Sequence, residues 1–254
     1  MVDAITAADV ENPVRITNRH GKSPMLLLCD HASNHIPAGF DTLGLTHEEL
    51  QRHIAWDPGA IGVAREMSRH LDAPLVESCI SRLIIDCNRP LDAPDLVPGS
   101  SELTAIPGNQ SLSANEIAER VALSHAPYHA AVEALIASRV AAGIAPVLIA
   151  IHTFTRVYRG RERPWHIGII HDDDIRLAKP VIAGLQAEAG LCVGINQPYS
   201  PADRVYYTLE RHARTNGLQA VMIEIRNDLV TTEEEEKQWG ERLARILGET
   251  QGEI

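Results

Sequence analysis

Two histidines stand directly after the most apolar runs of the chain. His31 follows "MLLLCD", and His152 closes "APVLIAIH". Neutral imidazole is a common zinc ligand. A catalytic zinc takes three protein ligands, often two histidines and a carboxylate, and leaves its fourth position to water. Two capping or hydrogen-bonded histidines would read the same in the sequence. The third ligand has several candidates. Asp57 in "HIAWDPGA" supplies a carboxylate, although Asp before Pro58 is also an ordinary helix start. His35 lies four residues beyond His31, but it would need a helical turn that Pro37 opposes.

Glu224 sits inside the apolar run "AVMIEIRND". A carboxylate there must pair with an arginine such as Arg226, bind a metal, or act as a base with a raised pKa. "SRLIIDCNRP" brings Asp86, Asn88 and Arg89 together at the end of an apolar run. Arg offers a planar fork for a carboxylate and Asn a directional donor beside it. A surface Arg and a turn Asn before Pro90 fit equally. Arg82, at the head of the run, would fall at the opposite rim if the run were a strand. Other chemistries lack their signatures: there is no Gly-x-Ser-x-Gly, no Gly-x-Gly-x-x-Gly and no Walker motif. Cys29 falls within a strand rather than at a helix N-terminus, where a nucleophilic thiolate would be favoured.

These side chains need a scaffold that gathers them. Apolar runs at Met25–Cys29, Ala145–His152, His166–Asp174 and Ala220–Asp228 read as strands, with shorter runs at Pro74–Glu77 and Arg82–Asp86. Helical patterns cover Pro58–Leu71, Asp174–Gly190 and Thr232–Leu247. The capping box "SANE" (Ser113–Glu116) opens a helical region to about Gly143 that Pro127 breaks or kinks. Residues 91–112, rich in Pro, Gly, Ser and Asp, form a long loop of the kind that often serves a binding site. Alternation of strands and helices predicts an α/β fold: a three-layer sandwich with a mixed, largely parallel central sheet. In such folds ligands bind beyond the carboxyl ends of the strands, where His31, Asn88, Arg89 and His152 all fall.

With 254 residues, 44% hydrophobic, the chain suffices for one large domain, with about 1–20 as an N-terminal extension. The net charge of -11 disfavours nucleic acid or an anionic membrane as partner. Cys29, Cys79, Cys87 and Cys192 form no Cys-x-x-Cys pair, which suits buried free thiols in a reducing cytosol. The acidic start "MVDAITAADVENPV" has no apolar segment of a signal peptide. No run approaches the ~18 apolar residues of a membrane span. A cytoplasmic protein acting on a small molecule is therefore expected; oligomeric state is not legible.

The ordered set "CDHASNHIP", "HIAWDPGA", "SRLIIDCNRP", "IHTFT", "RPWHIGII", "NQPYS" and "IEIRND" resembles the N-formylglutamate amidohydrolase family over about residues 25–230. The resemblance implies a phosphorylase/hydrolase-like fold related to zinc carboxypeptidases and aspartoacylases. It also implies metal-dependent hydrolysis of an N-formyl or other N-acyl amino acid, N-formyl-L-glutamate above all, in amino-acid catabolism such as histidine degradation. By the wider carboxypeptidase-like pattern, His31 and His152 are ligands of zinc or another divalent ion. That pattern has Glu three residues after the first His, where this chain has Asn34. The resemblance therefore favours Asp57 as third ligand over His35 or Asn34. It further implies that Asn88 and Arg89 grip the substrate carboxylate, that Glu224 is the general base, and that Tyr207, with Tyr206 as rival, contacts substrate.

On this reading Arg82 helps to stabilise charge on the attacked carbonyl, and Asp30, Ser33 and Asn34 orient ligands or fix the loop. Arg156, Arg159, Arg161 and Arg163 share one loop. They form either a solvated basic face or a source of local positive potential for a second carboxylate. A metal-free carboxylate-binding protein on the same scaffold, or an amidohydrolase or peptidase with another N-acyl substrate, are the alternatives.

Overall fold

A computed structural model of the chain describes residues 12–250. Its strands are β1 (Val14–Thr17), β2 (Met25–Cys29), β3 (Leu75–Ser78), β4 (Ser100–Ser101), β5 (Thr104–Ala105), β6 (Val147–Phe154), β7 (Val157–Tyr158), β8 (Arg161–Glu162), β9 (Ile167–Ile170), β10 (Val193–Ile195) and β11 (Ala220–Arg226). Its α-helices are α1 (His47–Gln51), α2 (Ala60–Leu71), α3 (Ala114–Arg120), α4 (Ala126–Ala141), α5 (Ala178–Gln186), α6 (Tyr207–His212) and α7 (Glu233–Thr250).

Seven strands make one sheet in the order β1-β3-β2-β6-β11-β9-β10. The four central strands, β3, β2, β6 and β11, are parallel, while β1 and β9 run antiparallel to their inner neighbours and β10 follows β9. β2, β6 and β11 are buried along their whole length, which is why they read as unbroken apolar runs. Alternate side chains feed two cores. Leu27, Ile149, Ile151, Val221 and Ile223 pack with Val63 and Met67 of α2, Val181 and Leu185 of α5, and Leu243 and Leu247 of α7. Leu26, Leu28, Leu148, Ala150 and Met222 pack with Val132 of α4 and Leu209 of α6. Helices on both faces complete the expected three layers.

A third apolar cluster lies under the segments that cross the carboxyl edge. It joins Leu43, Leu45, Ala55, Ile80, Leu83, Ile84, Ile85, Leu96 and Ile106. Here the structure corrects a reading. Arg82–Asp86 is not a strand but a series of turns. The Ser81 hydroxyl accepts from Leu83 N–H, and Ile84 N–H returns to Ser81 O. The carbonyls of Leu83 and Ile84 take their donors from Asn109 and Arg120 side chains instead of a ladder, so the backbone is satisfied without a sheet. The run is apolar because it fills this third cluster.

Other boundaries shift for local reasons. Val14–Thr17, placed by the sequence in an N-terminal extension, is an edge strand whose Val14 and Ile16 reach the second core; residues 1–11 lie outside the described residues. Pro127 has no N–H for the preceding turn, and the helix adjusts with a π-turn at Val121–His125 immediately before α4. The helix expected from Asp174 begins only at Ala178, because Asp172 and Asp174 accept the N–H groups of Asp174 and Arg176 in turns. The loop at 91–112 carries the β4–β5 hairpin. Cys29 and Cys87 are buried free thiols, but Cys79 is half-buried and Cys192 exposed. No helix of the described residues is long and apolar enough to cross a membrane.

Candidate active site

Four segments meet beyond the carboxyl ends of the parallel strands. His31 follows β2, His152 lies in the last turn-facing part of β6, and Glu224 lies in β11 opposite His152 in the ladder. Asp57 arrives from the segment before α2, where Asp57 N–H donates to His31 O at 3.0 Å. The helix itself starts from Gly59 in the left-handed region, so the Asp57 carboxylate does not cap it. Thr153 Oγ1 donates to Pro58 O, and Ser81 Oγ donates to Ala55 O, tying β6 and the 81–86 turns to the same segment.

The two imidazoles converge on one oxygen. His31 Nδ1 lies 3.3 Å and His152 Nδ1 2.8 Å from Asp57 Oδ2. The far nitrogen of each ring is also held: His31 Nε2 donates to Asp86 Oδ1 at 2.7 Å, and His152 Nε2 to Asp30 Oδ2 at 3.0 Å. Asp30 in turn accepts from Thr208 Oγ1, and Asp86 from the backbone N–H of Asn88. Arg82 bridges Asp57 Oδ1 at 3.3 Å and Asp86 Oδ2 at 2.8 Å. All three of His31, Asp57 and His152 are buried, and their ligand-type atoms lie within 4.8 Å of one another. A ring nitrogen aimed at a shared centre, with the opposite nitrogen fixed by a carboxylate, is the outer-shell arrangement of metal-binding histidines. The donor set therefore fits a divalent ion such as zinc.

The electrostatics follow from this packing. Burial disfavours charge on both imidazoles, and Arg82 opposes it at His31, yet the facing carboxylates outweigh these effects and raise His31 and His152 above the usual imidazole range. Burial would raise Asp57, but the His31 charge and the hydrogen bonds of both rings hold its carboxyl well below the usual range. A bound metal would compete with protons for these groups.

Glu224 differs. Burial pushes its carboxyl up to about 7, partly opposed by His152. Its Oε2 is buried with no hydrogen-bond partner among the described residues. Arg226, the sequence candidate for an ion pair, turns instead to Asp228. An unpaired acid with a pKa near neutrality has the protonation equilibrium that acid–base chemistry requires.

His31, Asp57, Arg82, Asp86, Asn88, Arg89, His152 and Glu224 all line one cavity of about 350 Å³. Within it the Asn88 amide is largely committed: Nδ2 donates to Val205 O and Oδ1 accepts from Thr208 N–H. Arg89 spends Nε on Asp95 and Nη1 on the carbonyls of Asn88 and Arg204, which leaves Nη2 without an acceptor among the described residues. Several sequence candidates stand apart. Asn34 donates to Leu50 O, and His35 stands outside the His31–Asp57–His152 group, its buried Nε2 having no hydrogen-bond partner among the described residues. Tyr207 is outside the cavity, with its hydroxyl accepting from Arg211 and its ring against His125 and His129. Tyr206 is buried in the second core. The tyrosines of the cavity are Tyr158 and Tyr199. Tyr199 belongs to the "NQPYS" motif, a signal the sequence reading used only for resemblance. Asp86 as the partner of His31 was likewise missed, since nothing local links residues 55 positions apart.

A family model described as N-formylglutamate amidohydrolase matches residues 23–231. A crystal structure of a gene product of Agrobacterium tumefaciens is 43% identical, covers 98% of each chain and superposes with a TM-score of 0.94. A crystal structure of N-formylglutamate amidohydrolase from Ralstonia eutropha is 19% identical, covers 92% of this chain and 95% of that one, and has a TM-score of 0.71, a likeness of fold. No curated protein matches the chain.

Proposed function

The chain belongs to the N-formylglutamate amidohydrolase family, and on that premise we propose that it is a metal-dependent hydrolase of N-formyl or other N-acyl amino acids, with N-formyl-L-glutamate as first candidate and formate and L-glutamate as products. The observation that carries this reading is the convergence of His31 Nδ1, His152 Nδ1 and Asp57 Oδ2 beside the unpaired Glu224 carboxyl. His31, Asp57 and His152 would hold the ion, which when bound supplies the Lewis acid of amide hydrolysis.

The rest is done by the chain's own groups. Glu224 accepts a proton from the attacking water and returns it to the departing amide nitrogen, a task suited to its raised pKa. Arg82, kept charged by Asp86 and Asp57 against its burial, offers positive charge where the carbonyl oxygen becomes negative. Arg89 receives the substrate α-carboxylate on Nη2, and Asn88 fixes the adjoining backbone, so the scissile bond is held in one place.

The test is metal content of the purified protein together with formate release from N-formyl-L-glutamate, before and after chelation. About one metal per chain, with activity lost on chelation and restored by zinc, supports the reading. Metal without formate release keeps the chemistry and discards the substrate. A protein that takes up no metal and gains no activity from it leaves carboxylate binding as the function.

A further inference from the structure

Around most of the cavity, charges cancel locally. Arg89 is paired with Asp95, Arg52 and His53 meet Glu102, and Arg82 lies between Asp57 and Asp86. Arg159 lines the same cavity, and among the described residues no carboxylate lies within ion-pair distance of it. Its guanidinium has only the Tyr158 ring for company, at 5.4 Å.

The position of Arg159 is well anchored. It is the first residue of the two-residue turn that joins β7 to β8, with φ of 49°, and Gly160 follows at 76°. Asn, Asp or Gly are the residues such turns prefer at that position, so turn chemistry does not account for an arginine there. The hairpin is held against the cavity wall by a ladder of rings and cations. Tyr158 lies under Arg163 at 4.5 Å, Arg163 lies over Tyr199 at 4.8 Å, and Arg163 Nη1 donates to the Tyr199 hydroxyl at 3.1 Å.

We propose that Arg159 is the specificity-determining residue of this cavity and receives the side-chain carboxylate of an acidic N-acyl amino acid. This rests on the amidohydrolase reading above and deepens it. A dicarboxylic substrate brings two anionic ends. Arg89, partly neutralised by Asp95, keeps one open nitrogen for the first. Arg159 has its planar fork free for the second, a geometry that a carboxylate fills with two parallel hydrogen bonds. A neutral side chain offers that cation no charged partner. Since the whole chain is acidic, at -11, a local cation at the mouth is also what draws an anion in.

The experiment measures kcat/KM for N-formyl-L-glutamate and for its neutral near-isostere N-formyl-L-glutamine, using the metal-loaded protein and its Arg159→Gln and Arg159→Lys variants. The wild type is expected to prefer glutamate. Arg159→Gln lowers the glutamate-to-glutamine ratio ~10–100-fold, chiefly through KM, as loss of a charged hydrogen-bond partner does; Arg159→Lys recovers part of it. A variant that lowers both substrates alike, with the ratio kept, overturns the assignment, as does a wild type that treats both alike. Wild-type protein that hydrolyses neither compound overturns the amidohydrolase reading, and the Arg159 assignment with it.

Discussion

Glu224 and His152 are register partners on adjoining parallel strands, so carboxylate and imidazole leave the sheet on the same face, one strand spacing apart. The two groups have different surroundings. His152 is held on both nitrogens, whereas Glu224 keeps one buried oxygen unpartnered. Glu224→Gln preserves shape and removes the proton acceptor. It should lower kcat for formate release by ~10²–10⁴-fold while metal content and affinity for a non-hydrolysable carboxylate ligand stay near wild type. Equal turnover in the variant would remove Glu224 from the proton path.

Asp30 holds His152 Nε2 with one oxygen and accepts from Thr208 with the other. Asp30→Asn keeps both contacts in outline but removes the charge that makes the ring a stronger ligand. Competition with a graded chelator should show metal affinity weakened by ~10–100-fold, with secondary structure by circular dichroism unchanged. Unaltered affinity would mean that the carboxylate serves only the fold.

The second core contains a histidine chain that titrates with the fold. His129 Nε2 donates to Cys87 O, and its Nδ1 meets His212 Nε2 at 2.8 Å. Burial, with neighbouring His125 and Arg211 adding to it, lowers His129 to about 3; burial and Arg211 lower His212 to about 4. Both rings are therefore neutral in the folded chain at pH 6, whereas in the unfolded chain they gain protons below about 6.5. The unfolded state binds the extra protons, so stability is full above about pH 6.5 and falls as the pH drops toward 4. Each ring contributes on the order of 1 kcal/mol per pH unit. Urea midpoints measured between pH 4.5 and 7.5 should show a shallower acid slope in His212→Asn than in the wild type. Parallel slopes would contradict the neutral assignment.

Gly168 faces Glu224 across the β9–β11 pair, and a Cβ there would lie 1.9 Å from the Gln197 carbonyl oxygen. Gln197 begins the short path to Tyr199 in the cavity wall. Gly168→Ala must displace that path and should cost ~1–3 kcal/mol of stability, read as a lowered Tm, together with a loss of activity. Gly39→Ala, where a Cβ meets nothing within 4 Å, is the control and should melt with the wild type.

Much of the fold was legible because burial on both faces leaves a plain signature. Met25–Cys29 had to be a central strand, since five consecutive buried residues bounded by polar ones suit little else. The capping box at Ser113 and Glu116 fixed the start of α3 by chemistry within four residues. The Arg82–Asp86 turns were not legible. An apolar run that fills a satellite cluster has the same composition as a strand, and its backbone is satisfied by Asn109 and Arg120, whose proximity no local pattern announces.

The candidate site divides in the same way. Residue types and their places at or within apolar runs were enough to single out His31, His152 and Glu224, because a buried histidine or carboxylate there is costly unless it is used, whereas Asp57 read equally as a helix start and was favoured by the family resemblance. The sequence by itself thus determined the scaffold and the chemical inventory. Which group meets which was decided only by the tertiary structure. In the turn that follows β2, Asp30 is covalently next to His31 yet holds His152, and His31 turns instead to Asp86. Tyr207 looked like a substrate contact and packs on histidines, while Tyr199 and Arg159 reach the cavity from loops whose course depends on the packing beneath them. Spacing along a chain specifies local geometry; the partners of a buried charge are set by the strands and loops that fold against it.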